Sequence, residues 1–132
     1  MVILGRYSEY VYAIFRIVFG FLIMLHGTQK LFGVPEAKMQ AFGLPYYAGF
    51  VELTCGLLIL VGFFSSIAAF IACGMFAVAY FMVHQPGGAL PIMNGGELAV
   101  AYCFVCLLIA ARGSGILSVD GLMRGSRGAA AS

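Results

Sequence analysis

Residues 10–32 read YVYAIFRIVFGFLIMLHGTQKLF, an apolar run that Arg16, His26 and Lys30 interrupt. A helix needs roughly 20 such residues to cross a hydrocarbon core of about 30 Å, and this run is long enough. Three further apolar stretches follow at residues 46–64, 67–84 and 98–111. Each is expected to be a helix, because lipid offers no hydrogen-bond partner to a free backbone group. The sequence therefore predicts an all-α integral membrane four-helix bundle that forms a single domain over residues 1–132.

The composition of the chain agrees with a membrane protein. Hydrophobic residues make up 63% of the chain and charged residues 9%, and the mean hydropathy is +1.04. These values lie far outside those of ordinary soluble domains. The net charge of +2 is small and its basic residues are scattered, so a nucleic-acid partner is excluded. The expected environment is the lipid bilayer.

The distribution of arginine and lysine predicts the orientation. Arg6 lies near one end of the chain and Arg112, Arg124 and Arg127 near the other, whereas Lys30 and Lys38 follow the first apolar stretch. Basic residues are enriched on the cytoplasmic side of membrane proteins. Both termini are therefore expected in the cytoplasm, which an even number of spans permits. The turn between the second and third spans is predicted at Ser65 and Ser66.

Ionisable side chains within the spans fall toward one end of each span. His26 and Lys30 close the first span, Glu52 opens the second, His84 closes the third and Glu97 opens the fourth. In an arrangement of hairpins these positions share one level near the outer face, where an ionisable group is costly. We call the predicted site the outer polar layer, and it consists of His26, Gln29, Lys30, Glu52, Asn94 and Glu97.

Small residues predict how this layer packs. Two stripes at helical spacing mix glycines with charged residues: Arg16, Gly20, Gly27 and Lys30 on the first span, and Gly49, Glu52 and Gly56 on the second. Glycines allow close helix packing in membranes, which would bring Glu52 to Lys30 or His26. One interpretation is a structural ion pair that fixes helix register, and the other is a binding or proton-transfer site. Arg16 is predicted to be a structural intramembrane charge, and Glu97 also suits a helix N-terminus.

The chemistry of the layer favours a quinone over a metal. The spacings of Glu and His that mark carboxylate-bridged bundles and zinc proteases are missing, so no metal is predicted. A quinone carbonyl accepts hydrogen bonds from His26 or Lys30, and Glu52 can carry the proton that accompanies each electron. The sequence contains no flavin, haem or iron–sulfur signature, so we expect no intrinsic cofactor and a quinone as the candidate ligand.

Two further features of the sequence are its cysteines and its C-terminal segment. Cys103 and Cys106 form a C-x-x-C in the middle of a span, where apolar surroundings disfavour the thiolate. With Ala99 and Ala110 they form a small-residue stripe, which favours packing over thiol chemistry, and no structural disulfide is expected. Ser118 is expected to cap a short surface helix.

Two runs carry a family resemblance. Ten residues after Arg16 the sequence reads HGTQKLFG at residues 26–33, and NGGEL occupies residues 94–98. Together they resemble the DoxX family of small bacterial membrane proteins, over almost the whole chain. The resemblance implies a multi-pass four-helix protein of the bacterial inner (plasma) membrane, related by name to a subunit of an archaeal thiosulfate:quinone oxidoreductase. The family motifs coincide with Arg16 and the outer polar layer.

The expected function is that of a small inner-membrane subunit of an oxidoreductase or quinone-linked system. Its expected partner is a larger membrane or membrane-associated protein complex, from which the electrons would arrive. The alternative is a non-catalytic structural or assembly subunit that packs against such a complex. In either case the chain is at most a membrane subunit of a quinone-dependent enzyme.

Overall fold

The structure, a computed structural model, describes residues 1–34 and 44–131, with side chains for residues 1–34 and 46–125. Its regular structure within these ranges is helical throughout. A 3-10 turn at Gly5–Tyr7 precedes α1 (Ser8–Phe32), α2 (Leu44–Val61), α3 (Ser65–Ala79), a four-residue α4 (Pro91–Asn94), α5 (Glu97–Arg112) and α6 (Val119–Ala131). Lys38, which supported the predicted orientation, lies outside the described residues.

Two helical segments in the described part of the chain are long and apolar enough to cross a membrane. They are Gly5–Phe32 and Ser65–Gly87, and Tyr46–Val61 is a shorter apolar helix. The second segment is longer than the predicted third span because a π turn (Tyr80–His84) and a 3-10 turn (Gln85–Gly87) continue α3. Phe70 and Phe81 are exposed along this segment. The outer surface of the segment is therefore apolar, which is typical of a surface that faces lipid.

α1 and α2 pack with their backbones in contact. A Cβ atom added at Gly20, Gly27 or Gly56 would lie 2.7–2.8 Å from a Cα atom of the facing helix. Real Cβ atoms do not approach other atoms so closely, so only glycine fits at these three positions. The predicted glycine stripes on the two helices are therefore confirmed, and they form the α1–α2 contact.

α3 packs against both α2 and α5. The cysteine stripe of α5 faces α3, where the Sγ atoms of Cys73 and Cys103 lie 3.6 Å apart and Cys106 is fully buried. All four cysteines of the chain are free thiols. The small-residue stripe thus serves the α3–α5 packing, as its spacing predicts.

The turn between α2 and α3 differs from the prediction. α3 already begins at Ser65, and the chain reverses at Gly62 and Phe64, which have φ angles of 76° and 50°. The Gly62 N–H donates to Leu58 O at 2.9 Å. A glycine in the left-handed region commonly ends a helix, so Gly62 sets the position of the turn and the serines do not.

We expect Gly56→Ala to destabilise the protein, because the added methyl group must push α1 and α2 apart. Overpacking of this kind costs about 1–3 kcal/mol. Gly74→Ala on α3 is the matched control, since a Cβ there meets nothing within 4 Å. Thermal unfolding of both purified variants in one detergent provides the measurement. Equal midpoints for the two variants would contradict the α1–α2 contact.

Candidate functional site

A buried ion pair joins α1 to α2 in the outer polar layer. Lys30 Nζ lies 2.9 Å from Glu52 Oε1, and the two side chains are 27% and 3% exposed. The other carboxylate oxygen, Glu52 Oε2, is buried and has no hydrogen-bond partner in the described part of the chain. The pair therefore uses one of the three donors of Lys30 and one of the two oxygens of the Glu52 carboxylate.

Glycine packing places this pair. A Cβ at Gly49 would lie 3.0 Å from Lys30 Cβ, so the stem of Lys30 runs directly over α2 beside Glu52. Gly27, one turn earlier on α1, meets the backbone of α2 at Leu53. Because the helices cannot separate here without losing that contact, the ion pair is held in one register.

His26 lies against a tyrosine of α5. The ring centroids of His26 and Tyr102 are 5.5 Å apart, at an interplanar angle of 78°. Tyr102 is buried and packs against Phe76, with the ring centroids 5.3 Å apart. The outer polar layer therefore extends across α1, α2 and α5, and Tyr102 belongs to it.

A groove opens beside His26. It measures about 220 Å³ and is lined by Leu22, Leu25, His26 and Gln29. Its walls are aliphatic, and its polar groups are an imidazole and an amide. Such a composition suits a flat, mostly apolar molecule with a few hydrogen-bonding atoms.

Asn94 lies in the connection between α3 and α5, and Glu97 lies at the start of α5. Asn94 Nδ2 donates to Gly88 O at 3.1 Å and to Tyr80 Oη at 3.2 Å, and its Oδ1 accepts from Gly96 N at 2.9 Å. Asn94 thus organises the connection between α3 and α5. No hydrogen bond or ion pair between described side chains joins it to Glu52.

Glu97 is exposed in the first turn of α5. It lines a cleft of about 660 Å³ whose other walls are Pro91, Ile92, Gly95, Leu98 and Ala101. An acid at this position stabilises the positive end of the helix dipole, which was the alternative interpretation. The six predicted residues therefore divide into a group at Glu52 and a group at the α5 N-terminus.

At the opposite end of α1, the guanidinium of Arg16 is fully buried among backbone carbonyls. Nε donates to Ile59 O at 3.1 Å, and the two Nη atoms donate to Ser114 O, to Ile116 O at 3.0 Å and to Leu117 O at 2.7 Å. Ile59 belongs to the last turn of α2, where its carbonyl oxygen also accepts from the N–H of Gly62 at 3.2 Å. These bonds join α1, α2 and the segment after α5. Such contacts are those of a charged side chain with a structural role.

Asp120 fixes the segment that wraps Arg16. Its Oδ2 accepts from Phe64 N at 2.9 Å and from Ser114 Oγ at 2.7 Å, and its own N–H donates to Gly62 O at 2.9 Å. Ser118 Oγ accepts from the N–H of Gly121 at 2.9 Å, which confirms it as the cap of α6.

Metal-binding chemistry finds no support in the described residues. They contain no group of three or more His, Cys, Asp or Glu side chains that could hold a metal ion. The arrangement at Glu52 can instead hold one proton on a buried carboxylate beside a lysine. Its chemical capacity is thus hydrogen bonding and proton transfer.

Comparison with known proteins identifies the family. The family model for DoxX matches residues 11–85, which include Arg16 and the Lys30–Glu52 pair. The chain belongs to the DoxX family. An uncharacterized protein of Haemophilus influenzae strain Rd is 34% identical to this DoxX protein over 125 residues, covering 89% of this chain and 93% of the relative. No solved structure matches the chain significantly. The resemblance inferred from the motifs is confirmed.

We expect Arg16→Lys to lower the stability of this DoxX protein strongly. A lysine ammonium has three donors on a flexible stem and cannot reproduce the planar fork that reaches four carbonyls. Each buried polar group that loses its hydrogen bond costs about 1–3 kcal/mol. Arg6→Lys is the control, because Arg6 is exposed and donates a hydrogen bond to the hydroxyl of its neighbour Tyr7. Thermal unfolding midpoints that match for both variants would contradict the structural role of Arg16.

Proposed function

We propose that this DoxX protein is a small inner-membrane subunit of a quinone-linked oxidoreductase system. In this proposal α1, α2, α3 and α5 cross the bacterial inner membrane as a four-helix bundle with both termini in the cytoplasm. The arginines support this orientation, since Arg6, Arg112 and Arg124 lie at the Arg16 end of the bundle and Lys30 lies at the other. The Lys30–Glu52 pair then lies toward the outer face.

The half-satisfied carboxylate of Glu52 carries the functional part of the proposal. Leaving a buried polar atom without a hydrogen bond costs roughly 1–3 kcal/mol, and more for a charged group. A pair that served helix register alone would gain by bonding both carboxylate oxygens. An oxygen left unbonded in a buried site is instead what a group needs if it takes up and releases a proton.

In this proposal the quinone ring lies in the groove beside His26, one turn before Lys30 on α1. A bound quinone accepts two electrons and two protons. His26 and Gln29 line the apolar groove, where their side chains can hydrogen-bond a ring carbonyl, and Lys30 holds a positive charge beside Glu52. Glu52 delivers the two protons one at a time and takes up a new proton from water after each transfer, and the two electrons come from a larger partner complex.

The alternative is a structural or assembly subunit, and a specific observation favours it too. Asn94 forms its hydrogen bonds to Tyr80, Gly88 and Gly96, near the start of α5, and Lys30 is paired with Glu52 across the α1–α2 contact. If Glu52 only held the register of α1 and α2, the bundle would serve as a scaffold that packs against a larger membrane complex.

A quinone assay on native material separates the two functions. We expect tagged wild-type protein, purified from its own membranes in mild detergent, to carry extractable quinone. Glu52→Gln should lose most of it, because the neutral amide leaves the Lys30 ammonium without its counter-ion beside the proposed quinone site. Liquid chromatography of the solvent extract gives quinone per mole of protein, and mass spectrometry identifies the partners that co-purify.

Glu9→Gln is the matched control for this assay. Glu9 also pairs with a cation, Arg112 at 3.3 Å, but its side chain is 56% exposed and lies at the Arg16 end. The control should keep its quinone. Equal quinone in Glu52→Gln and wild type would contradict the quinone site. A partner complex without quinone, unchanged in both variants, would establish the scaffold.

A further inference from the structure

The last helix, α6, has one apolar side and one basic side. At 100° per residue, Val119, Leu122 and Met123 fall on one side and Arg124 falls on the opposite one. Leu122 is 76% exposed. A helix with this pattern has an apolar face that needs a surface to cover it.

Only the first turn of α6 is fixed to the rest of the protein. Asp120 bonds to Phe64 N, Ser114 Oγ and Gly62 O, as described above. After that turn, the described side chains of α6 make one further hydrogen bond, from Arg124 Nη2 to Gly115 O at 3.4 Å. On the apolar side of α6, Leu122 is therefore left uncovered by the described part of the bundle, while Val119 and Met123 keep 37% and 39% of their surface exposed.

Two bulky side chains extend this apolar surface at the start of α6. Phe64 and Leu117 adopt left-handed backbone conformations, with φ angles of 50° and 53°, and both side chains are exposed. Left-handed conformations cost non-glycine residues roughly 1–2 kcal/mol. Asp120 stabilises the conformation of Phe64 by accepting a hydrogen bond from its N–H, and Arg16 stabilises that of Leu117 by donating one to its carbonyl oxygen.

The charge at this end of the molecule is positive. Glu9 is already paired with Arg112, and Asp120 is occupied by an amide and a hydroxyl. Arg6 and Arg124 have no carboxylate partner among the described residues. Apolar side chains next to uncompensated arginines are the chemistry that recognises an anionic lipid surface.

We propose that α6 lies in the membrane surface at the Arg16 end of the bundle and binds anionic phospholipids. Val119, Leu122 and Met123 enter the boundary between headgroups and acyl chains, together with Phe64 and Leu117. Arg124 binds the phosphate groups of the lipid. The clamp at Asp120 sets the level at which α6 leaves the bundle. This proposal does not depend on quinone binding.

A single tryptophan tests the insertion of α6, because the chain contains no tryptophan of its own. Leu122→Trp puts an indole on the apolar side, and Arg124→Trp puts one on the basic side. The full-length variants are placed in nanodiscs of phosphatidylcholine, with or without phosphatidylglycerol. Lipids brominated on their acyl chains quench an indole that reaches them. We expect strong quenching and blue-shifted emission for Leu122→Trp in the anionic discs, and weak quenching for Arg124→Trp.

A charge variant tests the lipid class. Adding Arg124→Gln to Leu122→Trp should lower the bound-to-free ratio of α6 in anionic discs by about fivefold, the effect of one basic residue near such a surface. Leu122→Trp emission that stays water-like and unquenched in both lipids would overturn the proposal and leave the apolar side of α6 for a protein partner. Equal quenching with and without phosphatidylglycerol would overturn the anionic specificity.

Discussion

The backbone contact between α1 and α2 determines how the rest of this DoxX protein is arranged. Gly20, Gly27 and Gly56 let the two helices approach so closely that no side chain separates them. Because this contact is rigid, it sets two polar interactions at once. It brings Lys30 to Glu52 at one end of the pair of helices and Arg16 to Ile59 O at the other.

The two polar ends differ in how completely they are satisfied. The guanidinium of Arg16 donates to four carbonyls, and the segment that supplies three of them is itself fastened by Asp120. The carboxylate of Glu52 uses one oxygen and leaves the other without a partner among described residues. A fully bonded charge rigidifies a structure, whereas a partly bonded one retains a capacity to bind or exchange a proton. This contrast is the reason for placing the function at Glu52 and the anchor at Arg16.

Much of this architecture could be predicted from periodicity and from the cost of charge in lipid. The apolar stretches indicate helices, the glycine stripes indicate the α1–α2 face, and the position of Glu52 near Lys30 indicates the ion pair. These features depend on spacing within one helix or between neighbouring helices, so they can be inferred directly from the sequence.

Other features depend on which distant residues meet, and no local pattern encodes that. In the sequence, Tyr102 is an ordinary aromatic residue of the fourth span, and only the structure shows that α5 places it against His26. The feature that could have indicated its role is a hydroxyl group within an apolar run. In the sequence, Asp120 is an acid at the start of a helix, and only the structure shows that the turn at Gly62–Phe64 lies beside it. Asn94 was included in the outer polar layer as one of a few polar groups in an otherwise apolar region, and its amide forms hydrogen bonds within the connection that contains it.

The central claim is that the Lys30–Glu52 pair exists for binding and proton exchange more than for stability, and replacing both residues tests it most directly. A buried ion pair can be replaced by apolar residues of similar size at little cost in stability. The account predicts that the double variant Lys30→Met, Glu52→Leu unfolds at the wild-type temperature or above it and yet binds no quinone. Wild-type quinone content in that folded variant would contradict the account, and so would a large loss of stability.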